Sequence, residues 1–358
     1  MENLIVEAGN DAGTTRNHLL TEEALTSLAI DALCGFGMTR DDAAAAARIL
    51  VLADLFGVRT HGTSRIESYG ERLRIGGINA RPSIAVDKVS ASLIKLDGDN
   101  GVGPLVGFRA LDAGMAAAKA HGLAAVFVRG SNHFGPVSPY SYLAAQAGFA
   151  SIIGSNATTT IAPWGGSDAR LGNSPVGFCV PDPRGRHIFL DMAISVAARA
   201  KIRNALKRGE AIPATWATDS QGKPTTDPKA ALDGFLLPIG GHKGYGLALI
   251  VDLLAGLLSG AAYLTHVKSW VDAPGEPQNL GHFFILIDTG LLGDSEWLAS
   301  RMADFAAILR ASSPADPAMP VKLPGEIELD SLVHQRAQGI AIDAQQLALL
   351  RSFAEVAA

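Results

Sequence analysis

The chain has 358 residues, a length that suggests two domains, or one large domain with a smaller companion. Hydrophobic residues make up 48% and charged residues only 18%, a composition that excludes a mainly disordered chain. The formal net charge of −5 supplies no positive field for phosphate backbones or anionic lipid, so nucleic acids and membrane surfaces are not expected partners.

The cysteine content and the first residues bear on the cellular compartment. Cys34 and Cys179 lie far apart in the sequence and form neither a disulfide framework nor a Cys-x-x-Cys metal pair. Residues 1–10 contain two glutamates and lack the basic start and apolar stretch of a signal peptide. We therefore expect a reducing compartment and a cytoplasmic protein.

Two helices are predicted near the N-terminus. Thr39 and Asp42 resemble a capping box, and the alanine-rich run after them favours a helix over residues 39–58. Residues 58–62 form a short connection, and a second helix is predicted over residues 64–75, closed by a Gly-Gly pair. This second helix places three polar residues on one face: Arg65, Tyr69 and Arg72.

The middle of the chain alternates strands with helices. Strands are predicted at residues 92–96, 124–128, 151–154, 177–180 and 188–190, and helices at residues 108–121 and 140–148. Further helices are predicted at residues 296–309 and 343–356, after a proline-rich connector over residues 312–324. The pattern predicts an α/β centre between helical ends. We assign residues 1–80 and 296–358 to one discontinuous helical domain and residues 81–295 to an α/β domain.

Residues 244–264 are almost wholly apolar and resemble a membrane span in hydropathy. Asp252 near the middle argues against insertion, because a carboxylate at the bilayer centre is costly. We interpret the segment as a buried helix or a subunit interface. Gly256 and Gly260 are spaced for close helix approach.

Several common functional motifs are missing or imperfect. Gly101, Gly103 and Gly107 lie between a strand and a helix, but the last glycine comes one residue late for a dinucleotide fingerprint. The next strand also ends at Arg129, where an acidic ribose ligand is expected. We therefore interpret these glycines as a tight turn. The sequence contains no phosphate-binding loop and no zinc-ligand spacing, so no metal is expected.

Three histidines lie in glycine-flanked loops: His61, His133 and His242. Such loops allow a ligand to approach the backbone closely. Arg65 follows His61 by four residues. An imidazole that donates a proton, next to a guanidinium that grips a carboxylate, is suited to reducing a 2-keto acid or oxidising a 2-hydroxy acid.

Seven motifs in order carry a resemblance to a known family. They are residues 59–65 (RTHGTSR), 130–135 (GSNHFG), 163–166 (PWGG), 171–175 (LGNSP), 189–193 (FLDMA), 241–246 (GHKGYG) and 323–326 (LPGE). Together they closely resemble the type 2 malate/L-lactate dehydrogenase family over roughly residues 20–342. That family also includes ureidoglycolate and sulfolactate dehydrogenases, diketogulonate reductase and reductases of cyclic imines such as piperideine-2-carboxylate.

The resemblance implies a dimeric NAD(P)-dependent oxidoreductase with a non-Rossmann α/β domain, a mixed and largely antiparallel sheet, and a helical domain from both termini. Lys243 is suited to cofactor phosphate and Asp191 to ribose hydroxyls. We expect NAD, with NADP possible. The implied cofactor positions are His133, Phe134, Gly135, Pro136, Val137, Asn173, Asp191, Met192, Ala193, His242, Lys243, Pro324, Gly325 and Glu326.

The resemblance also implies catalytic roles. His61 matches the proton donor, Thr60 stands where a serine often supports it, and Arg65 matches the carboxylate clamp. His133 and Asn173 are further candidates for substrate contact. Lys201 stands where the imine reductases have aspartate, which disfavours cyclic imines. The expected substrates are malate and oxaloacetate. The alternatives are a lactate-like, ureidoglycolate or sulfolactate substrate pair, an imine reductase, or a non-catalytic binding relative.

Overall fold

The computed structural model describes residues 6–7 and 17–356, so most of the N-terminal segment considered for a signal peptide lies outside the described residues. The strands are β1 (Val6–Glu7), β2 (Asn17–Leu20), β3 (Ala85–Lys88), β4 (Leu93–Asp97), β5 (Leu123–Ser131), β6 (Phe149–Ser155), β7 (Thr159–Ile161), β8 (Leu171–Gly172), β9 (Val176–Val180), β10 (Ile188–Met192), β11 (Leu280–Asp288) and β12 (Ile340–Asp343). The helices are α1 (Glu22–Gly35), α2 (Arg40–Leu55), α3 (Ile66–Arg74), α4 (Gly103–His121), α5 (Ser138–Gln146), α6 (Arg199–Arg208), α7 (Pro228–Asp233), α8 (His242–Asp252), α9 (Ser295–Arg310), α10 (Glu326–Gln338) and α11 (Ala344–Glu355).

Helix α2 is the buried axis of the N-terminal part. Thr39 caps its N-terminus by accepting a hydrogen bond from the backbone N–H of Asp42, a contact typically worth about 1 kcal/mol. Nearly every side chain from Ala43 to Leu55 is buried, which explains the run of small and aliphatic residues. The helix predicted over residues 39–58 is therefore present and ends at Leu55. The loop that follows emerges directly from the core.

Seven strands form the main sheet, in the order β10-β9-β6-β11-β5-β4-β3. Every neighbouring pair is antiparallel except β4 and β5, so the sheet is mixed and largely antiparallel as expected. A sheet with one parallel pair differs from the parallel sheet of a Rossmann domain. The α/β fold class is confirmed.

Strand alternation lets both faces of this sheet bury apolar side chains. Val126 and Phe284 pack on one face in a cluster that includes residues of α4 and α5. Phe127 and Phe283 point to the other face, which is covered by α8. The central strand β11 was missed in the sequence analysis, because its nine residues form one nearly continuous apolar run without alternation.

Both ends of the described chain meet in one layer. Strand β12 pairs with β2, and α1 packs against α2 and α11. One core cluster includes residues from these five elements, among them Leu20, Leu25, Leu50, Ile342 and Leu350. The three-segment domain division itself stays a prediction. The proline-rich segment 312–324 is an irregular, mostly exposed connection.

The apolar segment 244–264 is not one continuous helix. Helix α8 ends at Asp252, a π-helical turn follows over Leu253–Leu257, and Gly260 has φ +76° beyond it. A Cβ on Gly256 would lie 2.8 Å from the Cβ of Tyr263 in the same chain. The prediction of one helix in which Gly256 and Gly260 allow close helix approach is therefore wrong, because the helix has ended before Gly260. Within the described residues, no helix is long and apolar enough to cross a bilayer.

Candidate active site

A cavity of about 530 Å³ lies where segments from distant parts of the chain meet, in the size range of small-molecule sites. It is lined by Val58, His61, Arg65, His133, Phe134, Gly135, Pro136, Ser138, Ser155, Asn156, Ala157, Thr158, Thr160, Asn173, Pro175, Asp191, Ala193, Arg199, Arg203, Trp270, Gln278, Leu280 and Glu328. Most of the predicted site residues are therefore brought to one place.

The loop after α2 orients the first histidine and arginine. His61 closes a short 3-10 turn, and its Nδ1 lies 2.9 Å from the hydroxyl of Thr60. The backbone carbonyl of Thr60 accepts a 2.8 Å hydrogen bond from Nε of Arg65. Because this bond uses only Nε, the two terminal nitrogens of Arg65 stay available for a carboxylate. Thr60 therefore orients both groups.

A buried carboxylate holds this loop from behind. Asp54 accepts hydrogen bonds from the backbone N–H and the hydroxyl of Thr63, at 2.9 and 2.6 Å. A Cβ on Gly62 would lie 1.9 Å from Asp54, so only glycine allows the backbone to pass. Gln346 donates to the hydroxyl of Thr63, and Gln335 donates to the carbonyl of Asp54. Side chains from α10 and α11 thus fix the position of the loop that carries His61, residues 58–65, which we call the histidine loop.

The second histidine faces the first across the cavity. The ring centroids of His61 and His133 are 5.4 Å apart, and His133 Nδ1 lies 2.8 Å from the hydroxyl of Tyr69. Trp270 packs edge-on against Tyr69 and His133, and the guanidinium of Arg72 lies 4.6 Å from the centre of the Trp270 ring. The rings of Tyr69 and Trp270 therefore support His133. Tyr69 and Arg72 lie on the face of α3 that was predicted from the sequence.

Both histidines are neutral at pH 7. Burial, followed by the charge of Arg65, lowers the pKa of His61 to about 4. Burial is also the largest cause holding the pKa of His133 well below its usual range, followed by the charges of Arg65, His61 and His282. A neutral His61 can accept a proton at Nε2 when Nδ1–H donates to Thr60.

Two carboxylates, those of Asp191 and Glu328, also line the cavity. Asp191, at the end of β10, accepts a 2.7 Å hydrogen bond from the backbone N–H of Ser138, and burial raises its pKa. The hydroxyl of Ser138 is buried without a hydrogen-bond partner. Glu328 lies near enough for its charge to act on Asp191. A buried carboxylate at the end of a strand, next to a serine hydroxyl, is suited to hydrogen bonding the ribose of a nicotinamide cofactor.

Some predicted cofactor residues lie outside this cavity. Val137 and Met192 do not line the cavity, although the residues next to them in the sequence do. His242 and Lys243 are exposed at the start of α8, where His242 packs edge-on against Trp164. Their roles stay predictions.

The segment 324–326 faces a different space. Glu326 pairs with Arg310 and accepts a hydrogen bond from the backbone of Leu323. It lines a separate cavity of about 500 Å³. The carbonyl of Pro324 accepts a hydrogen bond from Phe189 N, which links this segment to β10 beside Asp191. The predicted cofactor roles of Pro324, Gly325 and Glu326 also stay predictions.

The sequence analysis missed several lining residues. Trp270 and Gln278 come from an irregular stretch before β11, and Glu328 from the first turn of α10. The unusual tryptophan in a proline- and glycine-rich loop was a usable signal. The sequence does not indicate that Arg199 and Arg203 line a cavity, because α6 has the composition of an ordinary basic surface helix. Within the described residues, no group of three or more potential ligand side chains is arranged to hold a metal.

Comparisons with known proteins agree with this geometry. The model of the malate/L-lactate dehydrogenase family matches residues 20–351. A malate dehydrogenase of Pyrococcus abyssi is 35% identical over 293 residues, covering 80% of each chain. A Δ1-pyrroline-2-carboxylate reductase of Ancylobacter novellus is 35% identical over 322 residues, covering 90% of this chain and 93% of that one.

A solved structure is equally similar. The sulfolactate dehydrogenase of Methanocaldococcus jannaschii superposes with a TM-score of 0.87 at 35% identity, covering 95% of this chain and 97% of the other. Sequence and fold therefore agree over nearly the whole described chain. The resemblance inferred from the seven motifs is confirmed, and the chain is an enzyme that belongs to the malate/L-lactate dehydrogenase family.

Proposed function

We propose that the protein interconverts a 2-hydroxy acid and a 2-keto acid with a nicotinamide cofactor, and that malate and oxaloacetate are the substrate pair. The observation that supports this best is the linked pair His61 and Arg65. Both line one cavity, and Thr60 contacts both of them. Malate dehydrogenases and sulfolactate dehydrogenases among the relatives support the choice of a hydroxy acid.

Arg65 and His61 have separate roles in the proposed reaction. The terminal nitrogens of Arg65 bind the substrate carboxylate and thereby place the adjacent C2 oxygen near His61. In the oxidative direction, neutral His61 accepts the hydroxyl proton at Nε2 while Nδ1–H donates to Thr60. In the reductive direction, protonated His61 returns that proton to the oxygen of the keto group. The nicotinamide cofactor supplies or accepts the hydride at C2 when it is bound.

The cofactor side of the cavity is assigned to Asp191 and Ser138. Asp191 would accept a hydrogen bond from a ribose hydroxyl in addition to the one it accepts from Ser138 N–H. We propose NAD as the cofactor. A carboxylate at a ribose hydroxyl disfavours the phosphate of NADP by repulsion. The ureidoglycolate dehydrogenase of Escherichia coli among the relatives is named for NAD⁺.

A cyclic-imine reductase is the second candidate, since a pyrroline-2-carboxylate reductase is among the relatives. An imine reductase of this type relies on an aspartate where this chain has Lys201. Lys201 is an exposed residue of α6 and does not line the cavity. A lysine cannot accept a proton from the histidine as a carboxylate does, which favours the hydroxy acid.

Initial rates test the proposed function directly. NADH and NADPH are each assayed with oxaloacetate, pyruvate, sulfopyruvate, oxalurate and piperideine-2-carboxylate. We expect kcat/KM to be highest with NADH and oxaloacetate. Preference for piperideine-2-carboxylate would instead support the imine reductase. Cofactor fluorescence that changes without consumption of NADH would indicate a binding protein rather than an enzyme.

We also propose a cytoplasmic homodimer with the three-segment domain division given above. Apolar side chains are exposed along α8 and the π-helical turn: Ile250, Leu253, Leu257 and Leu258. Burying such a stripe against a second copy would remove it from water. Light scattering at micromolar concentration should give twice the chain mass of 37.2 kDa, and a fully active monomer would contradict the dimer.

A further inference from the structure

Two positive charges face the cavity from helix α6. Arg199 and Arg203 are four residues apart, so they lie on one side of the helix, and both line the cavity. None of the ion pairs in the described part of the chain includes either residue. The cavity therefore holds two guanidinium groups in addition to that of Arg65.

Arg199 is fixed in place, and one of its donors has no acceptor. Its Nη2 donates a 2.8 Å hydrogen bond to the carbonyl of Gly234. Two residues further on, the backbone N–H of Leu236 donates to the carbonyl of Thr160. Arg199 and Thr160 therefore flank the same short segment. The Nε of Arg199 and the hydroxyl of Thr160 are both buried without a hydrogen-bond partner.

Residues that line the cavity connect Arg199 and Thr160 with the part of the cavity at His133. Trp270 packs against His133, and Leu280, the first residue of β11, follows the loop that carries Trp270. The side-chain oxygen of Asn156 accepts a 3.0 Å hydrogen bond from the backbone N–H of Gly281, the residue after Leu280. From Asn156 the chain runs along the cavity to Thr160. Arg65, Arg199 and Arg203 therefore line one cavity, and these residues connect their positions along its wall.

The electrostatics of α6 favour an anion at this place. Burial, followed by the charge of Arg203, lowers the pKa of Arg199. Two guanidinium groups that repel each other, one of them half-buried, are stabilised by a negative group placed between them. Carboxylates and sulfonates both present oxygens to guanidinium groups, so either group fits this chemistry.

We propose that Arg199 and Arg203, with the hydroxyl of Thr160, bind the second acidic group of the substrate. The substrate is then a dianionic 2-hydroxy or 2-keto acid, a dicarboxylate or a sulfonated carboxylate, and monocarboxylates such as lactate are poor ligands. This inference rests on the proposed function, because it assumes that Arg65 holds the first carboxylate. A phosphate of the cofactor is the other source of the same chemistry, and the experiment separates the two.

Arg203→Gln is the first test, because Arg203 is exposed and makes no contact that the fold needs. We expect its KM for oxaloacetate to rise about tenfold or more, since a hydrogen bond to a charged group is lost, while its KM for pyruvate changes less than about twofold. Lys207→Gln is the matched control. Lys207 lies on the same helix, is exposed and does not line the cavity, so both KM values should stay unchanged. Arg199→Lys, which keeps the charge, serves as the second variant.

A binding measurement makes the test independent of turnover. Calorimetry of malate and lactate with the enzyme–NADH complex reports affinity when no hydride can be transferred. We expect malate to bind at least about tenfold more tightly than lactate, and Arg203→Gln to remove most of that difference. If no keto acid is reduced by the unaltered enzyme, the proposed function fails, whereas this binding difference still tests the anion subsite.

Two results would overturn the inference. One is an equal change, or no change, in the KM values for oxaloacetate and pyruvate in Arg203→Gln and Arg199→Lys, together with an undiminished preference for malate. The other is a weaker affinity for NADH, titrated by fluorescence, with the preference for malate retained. That second result would assign both arginines to a cofactor phosphate.

Discussion

Replacing His61 with alanine should reduce turnover by about 100-fold or more while leaving the affinity for NADH nearly unchanged. A positioned acid or base contributes about 100- to 10,000-fold to rate, and the Nε2 of His61 is the proton-exchanging atom of the proposed mechanism. The hydrogen bond of the His61 ring is to Thr60 and not to Asp191 or Ser138, the two residues assigned to the cofactor ribose. Steady-state kinetics and NADH fluorescence measure the two quantities separately.

The pH dependence supplies a second readout for His61. Reduction of a keto acid requires the protonated imidazole, and the pKa of His61 in the free enzyme is about 4. Above that pH the protonated fraction falls about tenfold per unit, so kcat/KM for reduction should decrease as pH rises. Oxidation requires neutral His61, so its kcat/KM should rise through about pH 4 and then level off. His61→Ala should abolish both dependences.

Controls distinguish His61 from the other histidines. His121 is the control, because it is exposed at the end of α4 and does not line the cavity. The His121→Ala variant should behave as the unaltered enzyme. His133→Ala tests the second histidine in the cavity. Turnover near the original value in His61→Ala, combined with a large loss in His133→Ala, would transfer the proton-donor role to His133.

Replacing Arg65 with lysine should raise the KM for the keto acid by about tenfold or more and lower turnover as well. An ammonium group keeps the charge but loses the planar two-point contact with a carboxylate. It also cannot keep the Nε hydrogen bond to the carbonyl of Thr60 while reaching the substrate. Because that carbonyl belongs to the residue that orients His61, both kinetic constants should change together.

The matched control for Arg65 lies on the following helix. Arg74, in the last turn of α3, is exposed and stacks on Phe36 outside the cavity, so Arg74→Lys should leave the kinetics unchanged. A direct titration adds to the comparison. Since the charge of Arg65 helps to lower the pKa of His61, Arg65→Gln should raise that pKa above about 4 when imidazole signals are followed by NMR. Unaltered keto-acid kinetics in Arg65→Lys would make Arg65 a structural residue.

Local patterns in the sequence predicted the elements that depend on local physics. The cap at Thr39 and the alanine-rich run after it indicate α2, and the His61–Arg65 spacing lies within one loop. Strands with alternating burial, such as β5, were also found. Strand β11 was not, since a central strand covered on both faces shows no alternation and has the composition of a buried helix.

The parts of the site that escaped prediction depend on tertiary contacts. Trp270 lines the cavity because the loop before β11 is folded back onto α3, where Arg72 hydrogen-bonds to three of its backbone carbonyls. The tryptophan in this loop marks it as unusual, but the sequence does not indicate that the loop packs on Arg72 of α3. Arg199 and Arg203 are similar, since only the packing of α6 against the segment around Gly234 turns them toward the cavity. Sequence spacing indicated that His61 and Arg65 lie together, as they do in the cavity, but it did not predict the shape of the space around them.

The two glutamines that brace the histidine loop have a consequence for the order of folding. Gln346 bonds to Thr63 across 283 positions of the chain, and Gln335 bonds to Asp54 across 281. Contacts between such distant segments carry a large loop-closure cost and form late. During synthesis on the ribosome, α2 and the histidine loop emerge long before their last supports. We therefore expect catalytic competence to be acquired only when α10 and α11 dock, and we expect local opening of these two helices to inactivate the enzyme while the central sheet remains intact.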